Sequence, residues 1–529
     1  MESRASESAI RERLSALRAE MARSELAAYI VPSADPHQSE YVPAPWQRRS
    51  RISNFSGSAG TAIVTRDAAY LWTDSRYWLQ AARELPAADY TLMRHGAPDV
   101  PAPSDWLESE FGAGARIGVD PQVVTHEQWR EWQKNLARAG AELVAVDENL
   151  IDRGWPDRPA LPCEPVAVLD ASFAGRSIAD KLGDLRAAMH KAGCQAHVLT
   201  ALDSIAWLFN IRGRDIACNP LAIAYAIVRP SSAQLFIDPS KLDTTVRAHL
   251  DDAVEVVPYR DFEAQLRALA REKATVWVDP LATSTWVVRR LEGARVYEKE
   301  SPVVLAKALK NDVERAGMRA CHVRDGAAVC RFLRWLEDAL AQGARPDEVE
   351  CADRLVAFRA EGEHFQGISF ETISAYGPNG AVVHYSPRAG ACATLAPAGL
   401  YLLDSGAQYL DGTTDITRTV ALGDVSDAQR DRFTRVLRGH IAVATARFPE
   451  GATGSQIDSL ARKPLWDAGL DFGHGTGHGV GHFLCVHEGP QAIAPRSTRV
   501  ALRPGMILSN EPGYYETDAY GIRIESLLE

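Results

Sequence analysis

The chain has 529 residues, of which 46% are hydrophobic and 24% charged, a composition typical of globular proteins with roughly two to four domains. Its net charge of −11, with no long basic run to offset it, argues against a nucleic-acid partner. No apolar run approaches the roughly 18 residues that suggest a membrane span, so we expect no membrane partner.

The eight cysteines are scattered along the chain, and no two of them have CxxC spacing. This usage favours reduced thiols over a disulfide scaffold. The N-terminal stretch MESRASESAIRERLSALRAEM is charged and amphipathic, unlike a secretory signal. The sequence therefore predicts a cytoplasmic protein.

An internal similarity appears in the first half of the chain. Residues 17–31, LRAEMARSELAAYIV, resemble residues 185–199, LRAAMHKAGCQAHVL, and each reads as the end of an amphipathic helix followed by a short strand. Two strand-like runs follow each copy, within residues 61–78 and 221–238, with a turn at Pro230–Ser231 in the second. The pattern favours two similar α/β domains in tandem, and the alternative is a chance likeness of two helices.

The domain boundaries are predicted from these repeats and from proline content. Residues 152–165, DRGWPDRPALPCEP, contain four prolines and no apolar periodicity, which is typical of a linker. We therefore predict a first domain over residues 1–150 and a second over residues 151–308.

The character of the sequence changes near Asn311. A long helical pattern follows, with Gly343 as the expected stop, and a second helix is predicted within residues 347–362. Strand-like segments come next, interrupted by a turn and helix within residues 446–469. Helices followed by antiparallel strands predict an α+β third domain over residues 309–529.

Histidine and glycine are concentrated in residues 472–490, FGHGTGHGVGHFLCVHEGP. His474 and His478 have the spacing of a helical zinc motif, but the intervening glycines disfavour a stable helix. Glycines without side-chain bulk instead allow an irregular or extended backbone to approach a ligand closely.

Acidic residues occur at strand-like runs of the third domain, at Asp404, Asp415, Glu511 and Glu525. A hairpin centred near Tyr409 and Leu410 would make the first two acids direct cross-strand neighbours, roughly 5 Å apart at Cβ. The stronger turn signal, Asp411–Gly412, lies slightly off that centre, so a bulge is the alternative.

Four carboxylates in one place would repel one another, and unpaired buried carboxylates are costly. Two divalent cations with one neutral imidazole would balance the charge, and carboxylate-rich ligation suits harder ions such as Mn²⁺. The alternative interpretation is that the acids are solvated on edge strands.

An ordered set of motifs resembles the pita-bread metallopeptidases, and within them the three-domain Xaa-Pro aminopeptidases. The C-terminal half contributes ISAYGPNGAVVHYSP, DSGAQYLDGTTDITRT, HGTGHGVGHFLCVHEGP, NEPGYY and GIRIES. The N-terminal half contributes SEYVPAPWQRRSRISNFSGSAGTAIVT, WTDSRYWLQA and TALDSIAWLFNIRG. The resemblance implies an α/β and α+β multidomain chain, with two creatinase-N-like α/β domains followed by a pita-bread catalytic domain.

The resemblance also implies a dinuclear metal site. Its implied ligands are Asp404, Asp415, His478, Glu511 and Glu525. Asp415 and Glu525 would bridge two divalent ions, with Mn²⁺ expected first and Zn²⁺ or Co²⁺ as alternatives.

The residues implied to contact a peptide lie in several motifs. His384, His474 and His487 match substrate-side histidines of the family, and Arg76 matches an arginine that the first domain contributes. The alternative for Arg76 is a salt bridge within its own domain. His384, His474 and Tyr515 are our candidates to line a proline pocket. With the metal-side groups, the expected peptide-contacting set is Arg76, His384, His474, His478, His487, Glu511, Tyr515 and Arg523.

Two further side chains have separate expectations. Arg523 shares a strand face with Glu525 at i, i+2, which predicts that it orients this carboxylate; the alternative is an ordinary surface charge. His482 matches no required position of the family, so we expect a local structural histidine.

The implied activity is metal-dependent release of the N-terminal residue from peptides with proline at position two. Glu511 would shuttle the proton, and His487 and His384 would stabilise the reacting peptide. The alternatives are an Xaa-Pro dipeptidase and, least favoured, a catalytically inactive peptide-binding module.

The family also implies a homodimer for a full-length chain. This chain ends at Glu529, four residues after Glu525. Family members continue further, so we expect the catalytic domain to lack its final strands.

Overall fold

A computed structural model describes residues 6–250, 253–495 and 500–529 of the chain. The chain divides into two compact units. The first is drawn from Met1–Ala167, Ile178–Phe209 and Ala222–Ser301, and the second from Val168–Ser177, Asn210–Leu221 and Pro302–Glu529. Among the described residues, no helix combines the length and apolarity needed to cross a bilayer.

The first unit begins with a six-stranded sheet covered by helices. Its strands are β1 (Ala28–Pro32), β2 (Thr61–Thr65), β3 (Ala69–Thr73), β4 (Thr91–Arg94), β5 (Arg116–Val119) and β6 (Glu142–Ala145). The helices are α1 (Glu7–Arg23), α2 (Arg48–Ser53), α3 (Trp78–Glu84), α4 (Pro103–Glu110), α5 (His126–Arg138) and α6 (Leu150–Arg153). The strand order is β4-β3-β2-β1-β5-β6. Every residue of β1 is buried, as expected where helices cover both faces of a sheet.

The following part of the chain repeats this architecture. Its strands are β7 (Ala167–Val168), β8 (Ala196–Leu199), β9 (Ile211–Arg212), β10 (Tyr225–Val228), β11 (Ala233–Ile237), β12 (Glu255–Pro258), β13 (Thr275–Val278) and β14 (Arg295–Glu298). The helices are α7 (Ala171–Ala174), α8 (Ile178–Ala192), α9 (Leu202–Leu208), α10 (Thr244–Leu250), α11 (Phe262–Arg271) and α12 (Thr285–Arg290). The sheet order β12-β11-β10-β8-β13-β14 matches that of the first sheet, position by position and in strand direction. The predicted duplication is confirmed.

The two repeats contact each other through equivalent loops. The amide of His126 donates to the Thr283 carbonyl at 2.9 Å, and the amide of Thr285 donates to the Val124 carbonyl at 2.9 Å. His126 and Thr285 are 159 residues apart and touch each other directly, with Nδ1 3.0 Å from Oγ1. A second reciprocal pair of hydrogen bonds joins Glu127 to Pro280 and Trp286 to Pro121. The repeats therefore associate with a local two-fold pseudosymmetry.

The second unit contains the long helices and the antiparallel strands. Its helices are α13 (Pro302–Ala308), α14 (Asp312–Ala341), α15 (Glu348–Ala360), α16 (Asp427–Ala444) and α17 (Gly454–Trp466). Asn311 begins α14 with a capping box, and Gly343 follows its end at φ +88°, as predicted. Helices α15 and α17 were also predicted, whereas α16 was missed.

The strands of the second unit form short sheets, and they pair antiparallel throughout the part of the unit that the structure describes. They are β15 (Phe365–Ile368), β16 (Ile373–Tyr376), β17 (Leu400–Ser405), β18 (Ala407–Tyr409), β19 (Gly412–Thr413), β20 (Ile416–Ala421), β21 (Gly477–Gly479), β22 (Glu488–Ile493), β23 (Leu508–Asn510), β24 (Gly513–Glu516), β25 (Tyr520–Arg523) and β26 (Ser526–Leu528). The α+β expectation for this region is therefore confirmed.

Helices α16 and α17 pack closely on each other. Val436 and Val443 of α16 share an apolar core with Ile457 and Leu465 of α17. The contact is close because α16 carries Gly439, where an added Cβ would lie 2.2 Å from the backbone oxygen of Ala461. A glycine at this position permits the backbones to approach.

We expect Gly439→Ala to destabilise the second unit by about 1–3 kcal/mol, because the backbone oxygen of Ala461 cannot move aside as a flexible side chain would. Gly326→Ala in α14 is the matched control, because its added methyl would meet nothing within 4 Å. Better helix propensity should make that variant more stable by roughly 0.5–1 kcal/mol. Urea unfolding of both variants measures the difference, and equal midpoints would contradict the packing interpretation.

Candidate metal centre and peptide site

Three predicted ligands from separate parts of the second unit meet at one point. One ligand atom from each of Asp415, His478 and Glu525 lies within 4.8 Å of the others. His478 Nε2 lies 3.5 Å from Asp415 Oδ2 and 3.3 Å from Oε1 of Glu511. Nδ1 of His478 is 2.9 Å from the Gly479 carbonyl, so it donates there and leaves Nε2 available for a metal.

Asp404 and Asp415 are positioned by a hairpin whose register differs from the predicted one. Asp404 on β17 pairs with Thr417 of β20, so Asp415 is not its cross-strand partner. The turn is responsible, because Tyr409 pairs with Gly412 and leaves a two-residue loop at 410–411. The hairpin is thus centred one residue later than Tyr409–Leu410 suggested.

Tertiary contacts hold the tip of this hairpin against α14. An added Cβ on Gly412 would lie 2.8 Å from Sδ of Met318 and 2.6 Å from Sγ of Cys321, so only glycine fits there without a shift. Arg324 forms an ion pair with Asp411 in the turn itself. Helix α14 therefore fixes where the hairpin turns.

A buried ion pair reinforces the same tip. Asp325 of α14 and Arg359 of α15 are fully buried and make paired hydrogen bonds of 2.8 Å. The Tyr409 hydroxyl donates to Asp325 at 2.9 Å, at the base of the turn. Breaking such a buried pair typically costs about 3–5 kcal/mol, so the hairpin rests on a rigid support.

The carboxylates of the site are crowded, and those of Asp404, Asp415 and Glu525 are buried. Burial and the neighbouring acids raise the pKa of Asp415 and of Glu525 well above their usual range. Burial is the main reason that the pKa of Glu511 rises to about 7. Among the described residues, Oδ1 of Asp404 and Oε1 of Glu525 are buried with no hydrogen-bond partner. Oxygen donors of this kind with one imidazole fit divalent metal ions.

Two hydroxyl groups that sequence reasoning missed orient these acids. Thr417 Oγ1 donates to Glu525 Oε2 at 2.7 Å, and Ser509 Oγ donates to Glu511 Oε1 at 3.1 Å. Thr417 lies two positions after Asp415, and Ser509 lies two positions before Glu511. Residues two apart on a strand share a face, so this spacing was the sequence signal that could have identified the two hydroxyl groups.

Arg523 is buried in the site, but its partner differs from the predicted one. Its Nη2 and Nε lie 2.6 Å and 3.2 Å from Oδ2 of Asp404, whereas we expected it to orient Glu525. The reason is that β25 ends at Arg523, so strand alternation does not extend to Glu525. The surface-charge alternative is also wrong, because Arg523 is only 2% exposed.

The predicted proline-pocket residues His474 and Tyr515 lie together. His474 Nε2 is 2.8 Å from the Tyr515 hydroxyl, and that hydroxyl accepts from Arg523 Nη1 at 2.6 Å. His474 Nδ1 lies 2.7 Å from the Gly475 carbonyl and donates to it, so the tyrosine hydroxyl donates to Nε2. Burial raises the pKa of Tyr515 to about 12, which keeps it a donor at neutral pH.

The glycine-rich loop is not helical, as expected: Gly477–Gly479 form β21, the rest up to His487 is irregular, and buried groups of α17 hold its first part. Arg462 donates to the carbonyls of Phe472 and His474, both at 2.7 Å. Asp458 accepts from Arg462 at 2.8 Å and from Thr476 at 2.7 Å. These contacts hold the backbone of the loop in place around His474, its first histidine.

The remaining histidines are arranged as follows. The ring centroid of His487 lies 4.3 Å from that of His478, nearly perpendicular to it, at the metal-side cluster. His384 is half-buried, and the carbonyl of its neighbour Val383 accepts from Arg523 Nη2 at 3.3 Å. His482 is 2% exposed, in keeping with a local structural role.

Arg76 lies in the first unit. It makes two 2.8 Å hydrogen bonds to the carboxylate of Asp74. Its guanidinium also lies 5.3 Å from the ring centroid of Tyr77. Arg76 is thus pre-oriented by a local salt bridge, and its predicted contact with peptide stays a prediction.

Family models match the chain from residue 13 to its end. The Metallopeptidase family M24 model matches residues 316–529, and two Creatinase/Prolidase N-terminal domain models match residues 13–153 and 157–314. The Probable Xaa-Pro aminopeptidase P of Tuber melanosporum is 46% identical over 535 residues, which cover 98% of this chain and 86% of that protein. The chain belongs to metallopeptidase family M24. The corresponding protein of Metarhizium acridum is also 46% identical, over 97% of this chain.

Solved structures of the M24 family agree with the fold. The X-prolyl aminopeptidase of Caenorhabditis elegans, described as a cytosolic enzyme with a di-nuclear active site, superposes with a TM-score of 0.96. It is 40% identical, over 98% of this chain and 87% of that one. The Xaa-Pro dipeptidase of Bacillus anthracis shares the fold at a TM-score of 0.55, with 24% identity over 66% of this chain.

The comparisons confirm the predicted fold class, two creatinase-N domains followed by a pita-bread M24 domain. The exact boundaries at 150/151 and 308/309 stay predictions. Membership of a metallopeptidase family also agrees with the geometry, in which Asp415, His478 and Glu525 form a group able to hold a metal ion.

We expect added Mn²⁺ to raise the Tm of chelator-treated protein, because an ion that binds only the folded state stabilises it. In metal-free protein the folded-state pKa of Glu511, about 7, lies above its ordinary value of 4.5. The folded state then holds extra protons in this interval, so metal-free stability falls as pH rises through it. Metal must displace those protons, so the Mn²⁺-induced Tm shift should be larger at pH 8 than at pH 6.

Asp415→Asn should reduce that shift, and elemental analysis should find two ions per loaded wild-type chain. An Mn²⁺ effect on Tm that is absent at both pH values would contradict the metal centre.

Proposed function

We propose that this chain is a metal-dependent aminopeptidase that releases the first residue from peptides with proline at position two. The observation that carries the proposal is the convergence of Asp415, His478 and Glu525 at one point. It occurs in a chain 46% identical over nearly its full length to a probable Xaa-Pro aminopeptidase P. The presence of all five predicted ligands in the sequence argues against an inactive peptide-binding module, which would not need to keep a complete ligand set.

The metal requirement follows from the donor set. Asp404, Asp415, His478, Glu511 and Glu525 would hold two divalent ions, and we favour Mn²⁺ because oxygen donors dominate. Ions bound there would lower the pKa of a shared water and polarise the scissile carbonyl. Zn²⁺ and Co²⁺ are the alternatives.

Glu511 is the group best placed to move the proton. Its carboxyl contacts His478 and accepts from Ser509. A carboxylate within hydrogen-bond reach of the attacking water can act first as a general base and then as a general acid. We assign Glu511 to take a proton from the attacking water and to pass it to the departing proline nitrogen.

The histidines supply the other contacts to the reacting peptide. His487, whose ring lies 4.3 Å from that of His478, would donate to the oxyanion that develops at the scissile carbonyl. His384 would hydrogen-bond the peptide near the scissile bond.

Proline at position two has no amide hydrogen and a fixed φ, so shape must select it. The edge-on rings of His474 and Tyr515, with centroids 5.4 Å apart, offer a surface of fixed geometry for this purpose. We propose that they line the proline pocket together with His384.

The setting of the enzyme is also proposed. None of the eight cysteines, all within the described residues, forms a disulfide, which supports a cytoplasmic location. The Caenorhabditis elegans relative is described as cytosolic, which supports the same location. A homodimer is our expectation for the full-length protein.

Replacing Glu511 with Gln should lower kcat on the order of 10²–10⁴-fold and change KM much less, because the proton shuttle is lost. Glu516→Gln on the neighbouring β24 is the matched control, because it is the same substitution at an exposed position. Steady-state kinetics on an Xaa-Pro-Yaa tripeptide, with metal content measured for each variant, tests the role. Near-normal turnover by Glu511→Gln would show that the role is misassigned.

Matched di-, tri- and pentapeptides separate an aminopeptidase from an Xaa-Pro dipeptidase. We expect release of the first residue from the longer peptides, with a free N-terminus required. Arg76→Ala should slow turnover of the longer peptides without loss of metal, because the planar guanidinium suits a bidentate contact with peptide. Arg94→Ala, an exposed arginine of the same unit, is the control. Activity confined to dipeptides would overturn the proposed function.

A further inference from the structure

A buried carboxylate outside the metal centre accepts several hydrogen bonds from the segment that contains His384. Glu348, the first residue of α15, is 0% exposed. Its carboxylate accepts hydrogen bonds from four different residues of one segment, which are Tyr376, Asn379, Tyr385 and Ala393. Burying a charge is costly unless it is fully hydrogen-bonded, and this one is.

The donors lie on both sides of His384 in the sequence. The Tyr376 amide donates to Glu348 Oε1 at 2.6 Å, and the Ala393 amide donates to Oε2 at 2.9 Å. Between them, the hydroxyl of Tyr385, next to His384, donates to Oε2 at 2.7 Å. The segment from 376 to 393 is therefore closed around a single carboxylate.

The same segment is also hydrogen-bonded to a residue of the metal centre. Arg523, which holds Asp404, also donates to the carbonyl of Val383. Close by, an added Cβ on Gly521 of β25 would lie 1.7 Å from the carbonyl oxygen of Gly380. The backbone on either side of His384 is thus held by two groups. One is Arg523, which also bonds to the ligand Asp404, and the other is Glu348, which lies outside the metal centre.

We propose that Glu348 is a positioning residue that holds the His384 imidazole in place for the peptide. The inference rests on the proposed function, because that function gives His384 its contact with substrate. An ionised carboxylate offers only acceptors, which suits a site where every partner is an N–H or O–H donor. The negative charge is further stabilised by its place in the first turn of α15.

The decisive experiment is a double-mutant cycle with Glu348→Gln and His384→Ala. Glu348→Gln keeps the shape but turns an amide group toward the donors, so the loop around His384 should loosen. We expect kcat on an Xaa-Pro-Yaa tripeptide to fall by about 10²-fold, as small misplacements of catalytic groups do, with metal content unchanged. In the His384→Ala background, Glu348→Gln should lower kcat by less than a further threefold, because its effect depends on His384.

The control is Asp353→Asn, an exposed carboxylate-to-amide change on the same helix, which should leave kcat unchanged. Additive losses in the cycle would overturn the proposal, because they would assign Glu348 a general structural role. If Glu348→Gln does not fold, Tyr385→Phe removes one donor, and the same cycle with His384→Ala decides; here the single change should cost roughly tenfold.

A second measurement does not depend on activity. In protein with isotope-labelled histidine, His384→Ala identifies the ring resonance of His384, and Glu348→Gln should shift or broaden that resonance while Asp353→Asn does not. An unchanged resonance would overturn the positioning role. A wild-type chain that is inactive on every peptide would instead refute the proposed function, and the resonance would still decide the role of Glu348.

Discussion

The constraint on which the second unit depends is the crowding of four carboxylates, three of them buried, around one imidazole. Asp404, Asp415 and Glu525 are at most 7% exposed, and Glu511 joins them through its contact with His478. Among the described residues, Arg523 is the one guanidinium hydrogen-bonded to a side-chain carboxylate of the group, and that carboxylate belongs to Asp404. Unbalanced negative charge therefore remains, and burial together with this charge raises the pKa values of Asp415, Glu511 and Glu525. Such an arrangement is stable when cations neutralise it.

This repulsion explains why the ligands project from rigid supports. A crowded set of like charges would spread apart if its backbone could relax. The ligand hairpin is clamped at its tip by the Asp325–Arg359 pair and by Arg324, none of which is among the predicted metal ligands. Arg462 does the same for the glycine-rich loop. Buried ion pairs outside the site thus hold the charges inside it, and preorganisation of this kind favours metal binding and catalysis alike.

Local and repeated features were predictable from the sequence, whereas contacts between distant segments were not. The duplication was visible because helix and strand periodicities recur in the same order, and α14 was visible from its length and Gly343. The register that pairs Asp404 with Thr417 was not, because the turn is placed by the packing of Gly412 on Met318, and no local pattern records that contact. The partner of Arg523 was missed for the same reason.

The first unit shows how a duplication can become a single body. In each repeat an aspartate at the end of a sheet strand closes the following turn, with Asp120 accepting from the Gln122 amide at 2.8 Å and Asp279 from the Leu281 amide at 3.0 Å. The chain just beyond each turn then donates to the other repeat through reciprocal backbone hydrogen bonds. Since each loop is both donor and acceptor, a change in one repeat disturbs contacts of both. The reciprocal backbone hydrogen bonds therefore restrain both repeats together. They do so even at equivalent positions whose side chains differ, such as His126 and Thr285.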